Sequence, residues 1–235
     1  MGMNLDDLFV FNGKSTKDFG MYIAGVNHYA GAERDTTEVE IAGRNGTLTF
    51  DNGRFKNVPI TYKMFTLDIN NIDGFKSWLK SNIGYHRLED TFEPMYYRKA
   101  KYTEPLDISA TDQKNAAIDI TFNCDARRFL KDGDNAIILT GNGSLYNPTY
   151  YEALPLIRAY GTGNFTINDI TVTITSADQY TDIDCEIMDA YKGATNCNGN
   201  IRTTDNKFPA FKSGQNNITL SGVTRLEITP RWWTV

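Results

Sequence analysis

A mainly β protein in two parts is predicted for this 235-residue chain, and three observations predict it. β-branched and aromatic residues recur at period two through most of the sequence, the mark of half-buried strands. Only one segment carries a helical period. Beyond about residue 135, short alternating runs are broken by turn residues roughly every ten positions, which is the signature of a β-sandwich. The expected organisation is therefore one domain over residues 1–135 and a second β-sandwich domain over 136–235.

The elements follow in order. "LFVFNG" reads as a strand entering an Asn12-Gly13 turn, and "GMYIAGV" as a second strand. "TEVEIAGRNGTLTF" reads as a hairpin: Val39 and Ile41 lead into a turn from Gly43 to Gly46, and Leu48 and Phe50 lead out. In "VPITYKMFTLDI", Val58, Ile60, Tyr62 and Met64 share one face of a long strand. The helix is "NNIDGFKSWLKSNIG", where Ile72, Phe75, Trp78, Leu79 and Ile83 fall on one side. Asn71 or Asp73 caps its start, Gly84 ends it, and Trp78 packs in the core. The stretch after it, "YHRLEDTFEPMYYRKAKYTEPLDI", leads to a strand pair, and in "AAIDITFNC" the residues Ile118, Ile120, Phe122 and Cys124 share a face.

In the second half, "NFTINDITVTI" is a hairpin turning at Asn168-Asp169. "YTDIDCEIMDAY" places Ile183, Cys185 and Ile187 inward and Asp182, Asp184 and Glu186 outward. "NNITLSGVTRLEITPRWW" supplies Ile218 and Leu220, then Leu226 and Ile228. The chain ends on two tryptophans, which are either displayed for a partner or sugar, or part of a buried last strand. Leu226, Ile228, Pro230 and Trp232 lie at spacing two, so Trp232 continues the inward face and Trp233 points the other way. Pro230 has no N–H for a ladder and marks a strand end.

Composition excludes several function classes. Hydrophobic residues make up 40% and charged residues 23%, which is globular rather than disordered. The net charge of -5 and the absence of a basic block argue against a nucleic-acid-backbone binder. No apolar run approaches the roughly 18 residues of a membrane span. The N-terminus lacks a secretory pattern, and Asp6 stands where a myristoylation signal needs Ser or Thr. A product folded in a cytosol is expected.

Few residues are arranged for chemistry. Asp182, Asp184 and Glu186 would line one strand face, where a glycosidase pair or calcium is conceivable, but a solvated outer face is the simpler reading. His28 and His86 lack any metal-ligand spacing. No Gly-x-Ser-x-Gly elbow occurs, and "TGNGS" and "GTGN" read as turns without a P-loop lysine. Cys124 and Cys185 read as small buried apolar residues; Cys197, in "GATNCNGN", is the reactive candidate. No catalytic residue, metal or cofactor is expected. Aromatic content of 12% leaves two classes: a carbohydrate-binding module and an assembly protein.

The order of "FNGKSTKDFGMYI", "EVEIAGRNGTLTF", "FKSWLKSNIGYHRLED" and "ITFNCDARRFLKDG" resembles the distal tail proteins of long-tailed, non-contractile bacteriophages. So does the second half, through "ALPLIRAYGTGNFTIND", "YTDIDCEIMDAY", "FPAFKSGQNNITLSG" and "LEITPRWW". One departure is Ala126, where that family commonly has proline. The resemblance implies a non-enzymatic hub at the virion tail tip, made in the host bacterial cytoplasm. It implies a hexameric ring built by an N-terminal β-sandwich with one helix and a protruding hairpin. A C-terminal galectin-like or carbohydrate-module-like sandwich would lie outside. The implied partners are the tail tube protein, a tail-associated fibre or lysin protein, and receptor-binding proteins, with DNA passing through the lumen unbound. The hairpin from Glu38 to Phe50 is the candidate subunit-interface arm, with Glu40, Ile41, Gly43, Arg44, Gly46, Leu48 and Phe50 as its contact residues. The alternative is a β-sandwich that binds host-wall glycans, with Trp233 as its aromatic.

Overall fold

The computed structural model describes residues 5–26, 31–106, 108–110 and 115–235. The chain is mainly β and divides into two compact units, Met1–Arg128 with Val235, and Phe129–Thr234.

The first unit contains β1 (Phe9–Phe11), β2 (Lys14–Ser15), β3 (Met21–Val26), β4 (Arg34–Glu40), β5 (Thr47–Phe55) and β6 (Val58–Thr66). After helix α1 (Ile72–Ser81) come β7 (His86–Asp90), β8 (Tyr96–Lys101), β9 (Ile108–Ala110) and β10 (Ala116–Leu130), whose last two residues belong to the second unit. Its main sheet runs β2-β1-β7-β8-β10-β6-β3, with β9 paired to the start of β10. The sheet folds over on itself, sandwich fashion. The Phe9 ring lies 5.0 Å from Tyr62 and 5.3 Å from Phe122, although β1 is not a sheet neighbour of β6 or β10.

Period-two alternation explains this core. Val58, Ile60, Tyr62 and Met64 are all buried, as are Ile118, Ile120, Phe122 and Cys124 on the antiparallel partner. Tyr62 carries its hydroxyl inward and donates it to Asp90 Oδ2 at 2.6 Å. Helix α1 closes the open side with Phe75 and Leu79, fully buried, and with Trp78 among Phe9, Phe11 and Phe19. The Asn12-Gly13 turn has positive φ at both residues (49° and 77°), as a tight hairpin turn requires.

Two sequence expectations about this helix are corrected. Ile83 is 90% exposed, not core, because the helix stops at Ser81. Asn82 ends it by donating its amide to Trp78 O at 2.6 Å. At the other end, Asn71 sits at the cap position but makes no side-chain cap bond, and Asp73 lies inside the helix. Asp68 instead accepts from Asn70 N, capping a 3-10 turn that leads into α1.

The second unit contains β11 (Ile137–Leu139), β12 (Gly143–Asn147), β13 (Leu156–Tyr160), β14 (Gly163–Ile167), β15 (Ile170–Ile174) and β16 (Tyr180–Asp184). It continues through β17 (Asp189–Lys192), β18 (Thr195–Asn196), β19 (Ile201–Thr203), β20 (Gly214–Ser221), β21 (Arg225–Thr229) and β22 (Trp233–Thr234). Two antiparallel sheets result, β11-β21-β13-β16-β17-β18 and β12-β20-β14-β15-β19. Phe165, Val172, Ile174 and Ile218 from one sheet share a core cluster with Ile157, Ile183, Leu226 and Ile228 from the other.

The chain end belongs to this core. Trp232 is 5% exposed and packs its ring 5.4 Å from Phe211. Trp232 O accepts from Leu130 N, and Arg231 N donates to Gly133 O, both at 2.8 Å. A Cβ on Gly133 would stand 2.5 Å from Trp232 N, so glycine is what lets these two segments meet. Pro230 follows the last residue of β21, where no ladder donor is needed.

The outward acidic stripe is also corrected. β16 ends at Asp184, and Met188 turns the chain with φ 54°, so the alternation stops and Ile187 is 62% exposed. Asp182 and Asp184 are not a solvated face: both are buried beneath arginines. Arg158 grips Asp182 at 2.6 and 2.9 Å, and Arg231 grips Asp184 at 2.7 and 2.9 Å. Burial opposes the charge of Asp184. The Arg231 guanidinium and the backbone N–H groups of Glu186 and Ile187 outweigh that and hold its pKa below the usual value.

Candidate functional site

Strands β4 and β5 form a sheet of their own, pairing only with each other. A two-stranded ribbon has no second layer to bury its apolar face. Here the register sets Val39 opposite Leu48 and Thr37 opposite Phe50, so these side chains and Ile41 fall on one face. All four apolar residues remain open: Val39 40%, Ile41 41%, Leu48 38% and Phe50 52% exposed. The other face is polar. Glu38 accepts from the hydroxyls of Thr47 and Thr49 across the ladder, and those bonds hold its pKa below the usual carboxylate value.

The ribbon keeps its shape by polar means. Near its base Arg34 donates to Asp51 through Nε (2.8 Å) and Nη2 (2.6 Å), Arg54 to Asp35 (2.6 Å), and Lys56 to Glu33 (2.8 Å). These bonds depress the pKa of Asp35 and Asp51 and raise that of Lys56. The register slips between Arg34 and Thr36, where Gly53 (φ 72°) donates to Asp51 Oδ1 and forms a bulge. At the tip, Gly43 and Gly46 have φ of 80° and 83° with open space around them, so glycine serves the turn and not a close contact. Arg44 N donates to Ile41 O at 3.1 Å. An open cleft of about 570 Å³ at the tip is lined by Glu40, Ile41, Arg44, Asn45 and Thr47.

The structure thus brings Glu40, Ile41, Gly43, Arg44, Gly46, Leu48 and Phe50 together on one exposed ribbon. Sequence reading passed over Val39 and Thr37 as site residues, as well as the ion-pair ladder. The signal was present: Glu33, Arg34 and Asp35 mirror Asp51, Arg54 and Lys56 across the hairpin.

Trp233 lies far along the chain from this ribbon and in the other unit. It is half-buried, stacks on Tyr151 at 4.4 Å, and donates its indole N–H to Glu152 O at 2.8 Å. One of its ring faces is therefore already covered by a ring of its own unit.

Little else is arranged for chemistry. Among the described residues no group of three His, Cys, Asp or Glu could hold a metal ion. His28 lies outside the described residues, and His86 packs edge-on against Phe11 with Nε2 3.0 Å from Ile83 O. All three cysteines are free thiols. Burial pushes the Cys124 thiol up to about 12 and also raises that of Cys185, while Cys197 is only half-buried. Among the described residues, no helix is long and apolar enough to cross a membrane.

No family model matches the sequence, and none of the curated proteins does. The fold has a solved counterpart. The crystal structure of the SPP1 Dit protein superposes with a TM-score of 0.72 over 94% of this chain and 97% of that one, at 9% sequence identity. That protein is described as a paradigm of the hub adsorption apparatus in phages that infect Gram-positive bacteria. Over nearly its whole length, this chain has the fold of the SPP1 Dit protein.

Proposed function

We propose that this chain is the structural hub of a long-tailed phage or prophage tail tip. It assembles as a hexameric ring that joins the tail tube to the tail-associated fibre or lysin protein and to receptor-binding proteins. The observation that carries the reading is the ribbon β4–β5, whose apolar face stays exposed among the described residues, within a fold shared over nearly the whole chain with a phage adsorption hub.

An exposed Val, Ile, Leu and Phe on one rigid face is costly in an isolated protein and useful in an assembled one. A ring closes by heterologous contact, in which one patch of each subunit meets a different patch of the next. A projecting ribbon fits that geometry, because it reaches away from its own core. Glu40, Ile41, Arg44, Leu48 and Phe50 then bear on the neighbour, and Gly43 and Gly46 shape the tip. The second unit is the peripheral, galectin-like domain. A net charge of -5 suits a lumen that passes DNA without attracting its phosphates. The reading requires no catalysis and no cofactor.

Native mass by light scattering tests it directly. A particle of six times 26.5 kDa is expected, and deletion of residues 40–50 is expected to abolish it while both units stay folded. Hexamers that survive the deletion would exclude this ribbon as the ring-forming arm.

A further inference from the structure

Five Asn-Gly pairs lie in the sequence, beginning at Asn12, Asn45, Asn52, Asn142 and Asn198. This dipeptide is chemically labile. The glycine nitrogen can attack the asparagine side-chain carbonyl, because glycine has no Cβ to obstruct the approach. Reaction needs an asparagine side chain free to rotate and a glycine N–H without an acceptor. Four of the five pairs are pinned. Asn12 holds left-handed backbone (φ 49°) in the turn between β1 and β2, and donates Nδ2 to Asn82 Oδ1 at 2.7 Å. Asn52 donates Nδ2 to Asp35 Oδ1 and Thr37 Oγ1, and Gly53 N already donates to Asp51 Oδ1 at 2.8 Å. Asn142 Oδ1 accepts from Leu220 N at 2.8 Å, and Gly143 lies in β12 opposite Ile218. Asn198 Oδ1 accepts from Ala190 N at 2.7 Å, and its Nδ2 donates to Asp189 Oδ1 at 2.5 Å.

Asn45 is the exception. It is exposed at the tip of the β4–β5 ribbon and lines the open cleft there. Among the described residues its side chain has no hydrogen-bond partner, and neither has Gly46 N–H. The turn is held by the backbone bond from Arg44 N to Ile41 O, which leaves residues 45 and 46 outside it. No atom lies within 4 Å of where a Gly46 Cβ would stand, so the space for ring closure is open.

We infer that Asn45 is a site of spontaneous deamidation, the one Asn-Gly pair of the five that the fold leaves open to it. Gly46 N bonds to Asn45 Cγ, the Cγ–Nδ2 bond breaks, and ammonia leaves carrying the Gly46 amide proton. Water then opens the cyclic imide at either carbonyl, giving aspartate or isoaspartate. The step needs no oxidant, reductant or enzyme. The product adds a negative charge to a tip whose cleft already holds one acid, Glu40, beside one base, Arg44. Isoaspartate also lengthens the main chain by a methylene, in the turn that sets Glu40 opposite Thr47. The consequence for assembly rests on the ring reading. There the new carboxylate must be desolvated against the neighbouring subunit, which weakens the contact by about tenfold. Unassembled chain therefore loses competence with age, whereas a ring covers the tip and slows the reaction.

The test ages the full chain in mildly alkaline buffer, with peptide mass mapping at intervals and isoaspartate read by methyltransferase labelling. The Asn45 peptide is expected to convert about tenfold faster or more than the other four Asn-Gly peptides, since pinned sites react only through local opening. In urea the five should convert at comparable rates, because the selection is conformational. Asn45→Gln should lose the fast conversion, as glutamine closes a larger ring slowly, and should keep its melting temperature because the side chain is exposed. Conversion at Asn45 no faster than at the other four in the native chain, or a preference for Asn45 undiminished in urea, would overturn the inference. Fresh Asn45→Asp, compared with fresh wild type by sedimentation velocity, should assemble about tenfold less tightly. Equal assembly would overturn the link to the ring. Fresh wild type that forms no ring would count against the hub reading instead, and the peptide maps would still decide the site.

Discussion

Phe50→Asp is the most informative perturbation of the arm. Phe50 is 52% exposed, and Val39, Ile41 and Leu48 about two-fifths exposed, on one ribbon face. Full burial of such a side chain is worth about 1.5–3 kcal/mol, so covering the open part is worth about 1 kcal/mol each and about 4 kcal/mol for the face. Losing the Phe50 ring removes about 1–1.5 kcal/mol per contact, close to tenfold in affinity. A carboxylate in its place must also be desolvated against an apolar partner, adding about 2 kcal/mol or more. Repeated at every contact of a closed ring, that exceeds what the assembly can absorb. The monomer should be indifferent, because the residue is open to water and such changes stay within about 0.5 kcal/mol. Sedimentation velocity over a concentration series reads both effects. Wild type is expected to sediment at six times 26.5 kDa, and the variant as monomer with an unchanged melting temperature. Thr49→Ala, on the opposite face, is expected to keep the ring. An assembled particle of unaltered mass in Phe50→Asp would refute the reasoning.

Four further outcomes follow from the second unit and the thiols. Trp232→Ala should cost about 3–5 kcal/mol in urea unfolding, because it empties a core site against Phe211. Trp233→Ala, which loses one stack and one indole hydrogen bond, should cost only about 1–2 kcal/mol. Asp184→Asn should cost about 2 kcal/mol near neutral pH, because half-buried Arg231 loses its two-bond carboxylate and keeps only Glu186 Oε2 at 3.6 Å. The folded pKa of Asp184 is depressed, so its contribution is complete above the unfolded carboxylate value of about 4 and disappears as pH falls through the folded value. Wild type and Asp184→Asn should therefore converge in melting temperature as acid is added; parallel curves would discount the ion pair. Finally, iodoacetamide on the native chain should label Cys197 and spare Cys124 and Cys185, whose burial keeps them protonated, as peptide mass mapping would show.

Alternation was enough to identify β6, β10, β14, β15, β20 and β21, since a strand with one buried face must place apolar residues at every second position. The inward path through Leu226, Ile228 and Trp232 was legible for the same reason, as were the arm's turn glycines. Local pattern failed where a chain contact overrode it. Ile83 continues the helical period on paper, but Asn82 ends the helix first. Ile187 continues the strand period, but the strand stops at Asp184 and Met188 turns the chain.

Charge burial was beyond sequence altogether. Asp182 and Asp184 read as a wet stripe, and only their pairing with Arg158 and Arg231, 24 and 47 positions away in the chain, takes them out of solvent. The arm shows the same division. Its apolar and polar faces are written in the period-two pattern of Thr37 to Phe50. Whether a second sheet covers the apolar face is a matter of tertiary pairing, and among the described residues none does. On the five-stranded sheet, Gln215, Thr166, Thr173 and Arg202 are scattered in sequence, and only strand order β12-β20-β14-β15-β19 sets them side by side. Sequence determines which side of each strand is apolar; only the tertiary fold decides which strands become neighbours, which sides are covered, and so which surfaces exist for a partner to find.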